Sequence, residues 1–187
     1  MGALILFMKE KMTNSIKSFL SKIASSDYLD RTDRIPAIDI MGPQIQFLQI
    51  PEKIDSKHCI MLVSVPPGVT VPLHSHADPE FFFIIQGKIE MLNQDDSATW
   101  IEAEIGSFVQ ILPNAKHAFR NVSSMPAAFL CETTEQMRHF FETVGEAVNT
   151  GQLGAPPTME RTSRFVSAAE RFGYWIGSPQ ENIAAGI

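Results

Sequence analysis

Three of the five histidines in this 187-residue chain fall in two short stretches whose spacing suits metal chemistry. His74 and His76 are two residues apart. On an extended strand, alternate side chains share a face, so the two imidazoles stand side by side at a spacing suited to one ion. Glu80 has the same parity but lies beyond Pro79, which interrupts a strand ladder, so its carboxylate converges on the pair only if the chain turns back. His117, within the stretch from Gly106 to Asn121, could bring a third imidazole from a neighbouring strand. His58 and His139 have no matching partners and read as ordinary surface or half-buried histidines.

The elements that must position these residues are short and β-like. Apolar, β-branched and aromatic runs cover Ile45 to Ile50, Ile60 to Val65, Phe81 to Ile85, Lys88 to Leu92, Thr99 to Ile101, Phe108 to Leu112, His117 to Asn121 and Ala127 to Glu132. Turn residues punctuate them: Pro51, Pro66-Pro67-Gly68, Pro72, Gly87, Asn93 to Ser97, Gly106 and Pro113-Asn114. Strands at roughly ten-residue spacing with no helices between them predict an antiparallel sandwich or small barrel, an all-β fold. After Thr134 the period becomes helical, with Met137, Phe140, Phe141, Val144 and Val148 on one stripe that ends at Asn149 to Gly154. Ala155-Pro156-Pro157 follows, then a short helix around Ser167 to Phe172 stopped by Gly173. The expected organisation is an N-terminal arm over 1–36 with a weak helical pattern at Thr13 to Ile23, a barrel over 37–135, and a helical extension over 136–187 packed on the barrel's outside. Met12 is a second candidate start. No internal repeat is present, so one barrel is expected.

The run from Gly68 to Gly87 reads G-x5-H-x-H-x3-E-x6-G through His74, His76 and Glu80. With Gly106 to His117 and Asn121, it resembles the two signature stretches of the cupin superfamily. The second stretch departs from the family in two places: Pro113 sits one position late, and Ala115 stands where glycine is usual. The wider layout, with strands before Gly68, the Phe140 to Gly145 helix and the Ala168 to Gly173 segment, looks like the bacterial single-domain cupins called quercetin-dioxygenase-like. The resemblance implies a jelly-roll barrel in which His74, His76, Glu80 and His117 bind one divalent transition metal. Three imidazoles and one carboxylate suit Fe, Mn, Ni, Cu or Zn and disfavour Mg and Ca, which prefer oxygen shells. Four protein ligands on a six-coordinate ion leave about two positions for substrate or dioxygen.

The expected function is a metal-dependent dioxygenase acting on a small aromatic or enol-type substrate, with Glu80 as catalytic base if it leaves the metal. A non-redox isomerase or lyase uses the same ligands, and a ligand-binding cupin without catalysis is a third reading. Phe82 and Phe119, with the parity of Glu80 and His117, would line the cavity or pack the core; Arg120 points outward, and Asn121 closes a turn or orients His117. Phe81 to Ile85 is apolar on both faces, which predicts cover from another element or from a second subunit in a homodimer.

Charge excludes other classes. Fifteen basic residues against 21 acidic ones, scattered along the chain, give a net charge of −6 and no footprint for a phosphate backbone, so no nucleic-acid partner is expected. A hydrophobic fraction of 44% argues against disorder. The longest apolar runs, such as Ala3 to Met8, fall far short of a bilayer span, so no membrane partner is expected. Lys9 and Lys11 follow that run instead of preceding it, which argues against a secretory signal and for a cytoplasmic protein. Two cysteines, Cys59 and Cys131, make no disulfide framework and read as small buried hydrophobes.

Overall fold

Alternation of buried and exposed positions builds the sheets. In the strand Glu80–Gln86, Glu80, Phe82 and Ile84 are buried while Phe81, Phe83 and Ile85 are half-buried, the two-residue period of a strand with one face on the core. The computed structural model describes residues 35–48, 57–93, 99–149, 154 and 156–187. Among these, seven strands form one antiparallel sheet in the spatial order β11 (Glu146–Val148), β1 (Ala37–Asp39), β2 (Gln44–Phe47), β3 (His58–Val65), β10 (Ala127–Thr134), β5 (Glu80–Gln86) and β8 (Phe108–Ile111). Five form the second, in the order β12 (Trp175–Ile176), β4 (Thr70–Ser75), β9 (His117–Arg120), β6 (Lys88–Asn93) and β7 (Thr99–Glu104). The two sheets face each other over an aromatic core: Phe82 and Phe129 stack at 4.3 Å, and Phe119 meets both edge-on at 6.0 and 5.8 Å. This is the jelly-roll fold.

Several sequence expectations change in detail. The first helix, α1 (Glu135–Val144), is capped by the Thr134 hydroxyl, which accepts from the Met137 N–H, and it ends at Gly145 instead of running on toward Asn149. Val148 leaves the helical stripe because its segment, β11, pairs with β1 in the register Ala37 to Val148. The second helix, α2 (Met159–Phe172), starts eight residues before the expected Ser167. Its first turns carry mostly polar, exposed side chains, so no apolar stripe announces them, and the Thr158 cap does the work instead. Gly173 does stop it, at φ 75°. A last short helix, α3 (Pro179–Ala184), follows. The segment beyond 135 is thus not only helical: β11 extends one sheet and β12 the other. The helical pattern read at Thr13 to Ile23 and the candidate start at Met12 lie outside the described residues.

Two turns matter for the site. Gly87 adopts φ 63° between β5 and β6, and a Cβ there would lie 2.7 Å from the Pro126 carbonyl oxygen, so only glycine fits. At the second signature stretch, Asn114 takes the left-handed conformation, φ 65°, and donates its N–H to the His76 carbonyl at 2.7 Å. Ala115 therefore needs no glycine-like backbone, and the departure at that position leaves the approach to His117 intact.

Candidate metal centre

The four residues singled out by spacing meet inside the barrel. His74 on β4 and His117 on β9 are directly paired across the five-stranded sheet, and their ring centroids lie 4.1 Å apart. The pairing passes a register shift between Val71 and His74, where Pro72 interrupts the ladder. His76 follows the end of β4, with its ring 5.6 Å from His74 and 5.1 Å from His117. Glu80 opens β5 in the opposite sheet, so the turn through Asp78 and Pro79 supplies the return that its parity required.

Each imidazole is held by the same device. The Nδ1 of His74 lies 2.8 Å from the Pro72 carbonyl, that of His76 2.8 Å from the Asp78 carbonyl, and that of His117 2.9 Å from the Ala115 carbonyl. A carbonyl oxygen only accepts, so every Nδ1 carries a hydrogen and every Nε2 of a neutral ring is left with its lone pair. The ligating nitrogens of the three rings lie within 4.8 Å of one another. Those of His76 and His117 are buried without a hydrogen-bond partner, and each lies 3.3 Å from Glu80 Oε2. Two ring nitrogens and a carboxylate oxygen turned on one small space could hold a cation between them. The donor set, three imidazoles and a carboxylate, fits a divalent transition metal.

Electrostatics follow from this crowding. Burial, followed by the neighbouring His117 and His76, pushes the His74 pKa down to about 3, so its ring is neutral and ready to ligate. Burial acts on Glu80 to raise its pKa, but the His117 and His76 rings, each 3.3 Å from its Oε2, outweigh it and hold the carboxyl below its usual range. For His76, burial opposes the charged form, while the Glu80 carboxylate and the Asp78 carbonyl more than compensate and raise it.

Three further residues support the centre. The buried Cys131 thiol points at Glu80 Oε1 from 3.8 Å; burial, followed by the Glu80 charge, pushes its pKa well up, which keeps it a thiol. Asp78, whose carbonyl orients His76, accepts on its carboxylate from the Thr134 hydroxyl and, at 2.7 Å, from the Tyr174 hydroxyl. The Tyr174 ring lies 5.5 Å from that of His76. Asp78 shares the parity of His76 and could have been singled out on that ground. Tyr174 lies 96 residues beyond Asp78, and nothing local in sequence signals it. The Asn121 amide donates to the carbonyls of Val65 and Met125 and so closes the loop before β10. Arg120 points outward as expected, bonded to Glu90 and lying over the Trp100 ring. His139 is exposed, and His58 pairs at the surface with Glu132 at 2.8 Å.

The centre opens into a cavity of about 400 Å³. Phe82 and Phe119 line it, as do Phe140 and Phe141 from α1 and Phe165 from α2. The helices therefore wall the cavity instead of lying only on the barrel's outside.

Residues 61–132 match the family model described as a cupin domain. The chain carries a cupin domain. Several solved structures resemble it. A predicted oxalate decarboxylase from Thermotoga maritima is 19% identical, with 56% of this chain and 96% of that one covered and a TM-score of 0.49. An RmlC-like cupin from Shewanella frigidimarina is 13% identical, with 58% and 91% covered and a TM-score of 0.48. The DMSP lyase DddQ from Ruegeria pomeroyi is 24% identical, with 42% and 38% covered and a TM-score of 0.38. No curated protein matches the chain in sequence.

Proposed function

We propose that this cupin is a metal-dependent enzyme, a dioxygenase acting on a small aromatic or enol-type molecule. The observation behind the reading is the convergence of the His76 and His117 Nε2 atoms and Glu80 Oε2, with no hydrogen bond between them, at the end of an apolar cavity. His74, His76, His117 and Glu80 would hold one Fe, Mn, Ni, Cu or Zn ion. Such an ion supplies Lewis acidity toward a substrate oxygen and, where redox-active, a route for electrons to dioxygen. The chain's own contribution is positioning. The three backbone carbonyls fix the imidazoles, the Cys131 thiol steadies Glu80, and the Phe82 and Phe119 rings exclude water. Glu80 is the base that takes the proton from a substrate hydroxyl when it is not a ligand. The look of the wider layout, similar to quercetin-dioxygenase-like cupins, supports the same reading.

A non-redox isomerase or lyase is the second reading. It is favoured by a carboxylate and a phenol, Glu80 and Tyr174, on the wall of one cavity, the pair that proton-transfer chemistry uses. A ligand-binding cupin without turnover is the third. Elemental analysis of protein purified without chelators, followed by oxygen uptake with catechols and flavonols, tests these. One equivalent of a redox-active metal with substrate-dependent uptake sustains the dioxygenase; turnover without uptake selects the isomerase or lyase; a chain that takes up no metal even after reloading removes the enzyme reading.

The reading includes a homodimer and a cytoplasmic location. Supporting the dimer, the outer face of the seven-stranded sheet presents Phe81 and Phe108 stacked at 6.0 Å, with Phe108 64% exposed. Supporting the location, both cysteines are free and buried. No described helix is long and apolar enough to cross a membrane.

A further inference from the structure

The lining of the cavity is of two unlike kinds. His74, His76 and Glu80 line one part of it; another part is walled by α1 and α2, whose Phe140, Phe141 and Phe165 lie beyond the matched domain. Phe140 is 4% exposed and meets Phe165 edge-on at 5.3 Å and Tyr174 at 4.9 Å, so the aromatic wall is packed and preformed. Among the described residues lining the cavity there is no lysine or arginine, and Glu80 is its only carboxylate. A small organic anion would leave most of about 400 Å³ unfilled and would find no cationic side chain along the apolar part of the lining. A cavity of this size and lining suits a ligand that buries much apolar surface and has few polar atoms.

We infer that the part of the cavity walled by Phe140 and Phe165 is a binding site for the uncharged, carbon-rich body of the substrate, a subsite that prefers neutral ring-bearing groups to small carboxylates. The oxygen-bearing head of that molecule faces the histidines, a point that rests on the metal reading above; the apolar subsite does not. Val166, on α2, sits at the cavity and is 49% exposed, so a larger side chain there can intrude on the space without disturbing a packed core.

The test is fluorescence titration of the full chain with N-phenyl-1-naphthylamine, a neutral two-ring probe with no strong metal-binding group, competed by 1-naphthol and by malonate. Wild type as purified and wild type stripped of metal with a chelator are expected to bind the probe alike and saturably, with 1-naphthol displacing it from both. Malonate is expected not to displace it from the stripped protein. Val166→Trp should weaken binding at least tenfold, and Phe165→Ala, which removes a ring from the wall, should weaken it severalfold. Unchanged binding in both α2 variants, or no saturable binding to wild type, overturns the inference, as does displacement by malonate from the metal-stripped protein. Failure of the metal reading would show separately, as wild type that takes up no metal yet still binds the probe.

Discussion

Arg161 on α2 donates from Nη2 to both the carboxylate and the backbone carbonyl of Asp39 on β1, at 2.6 Å each, across 122 residues of sequence. Both side chains are almost wholly buried. Asp39 also accepts from the Gly42 N–H at 3.2 Å and so ties the cavity-lining turn at Met41 to α2, which lines the same cavity. Removing Arg161 strips the buried Asp39 carboxylate of its ion-pair partner, which costs about 3–5 kcal/mol. Arg161→Ala should therefore lose stability in that range by urea denaturation, and Asp39→Asn combined with Arg161→Met should lose clearly less than the sum of the two single changes. A loss below 1 kcal/mol for Arg161→Ala would show that the pair does not anchor α2.

His76→Ala removes one of the two buried nitrogens aimed at Glu80. The variant should stay folded by circular dichroism but lose stoichiometric metal. Wild-type metal content in the variant would take His76 out of the ligand set.

Glu80→Gln separates ligand from base. With Oε2 3.3 Å from both nitrogens, the carboxylate is placed to ligate, and the neutral amide should weaken metal binding by about 10- to 100-fold, the range seen when groups supporting a metal site are altered. Full metal content with lost turnover would instead make Glu80 a base.

Acidification should destabilise the metal-free protein through His74. Its pKa is lowered from 6.5 to about 3 on folding, so between those values the unfolded chain binds the extra proton and stability falls as pH falls, by at most about 1.4 kcal/mol per pH unit. His76, raised on folding, is protonated in both states below about pH 6 and adds no slope there. Glu80, lowered on folding, adds a loss in the same direction once pH drops below about 4.5. The melting temperature should thus decline from pH 6 to pH 4, and His74→Gln should flatten that decline; an unchanged slope in the variant would assign it elsewhere.

His74, His76 and Glu80 were legible because the offsets that bring them together are local, two residues at the end of β4 and then a four-residue return, while His117 joins them from the strand paired with β4. The barrel strands were legible for a similar reason, since alternation repeats over each run. β11 and β12, at three and two residues, are too short to carry a period, and they exist because open strand edges on β1 and β4 accept them. Cys131 and Tyr174 reach the centre by sheet packing and by the return of the chain after α2, which leave no mark on neighbouring residues. The apolar stripe of α1 was visible, but that Phe140 would face a cavity depends on where α2 docks.

His74 and His117 belong to the five-stranded sheet and Glu80 to the seven-stranded one. An ion held by all three would rivet the two leaves of the sandwich at bond-length tolerance. Any substitution that wedges the leaves apart, even at the far end of the barrel, should then register first as weakened metal retention, before it registers as unfolding.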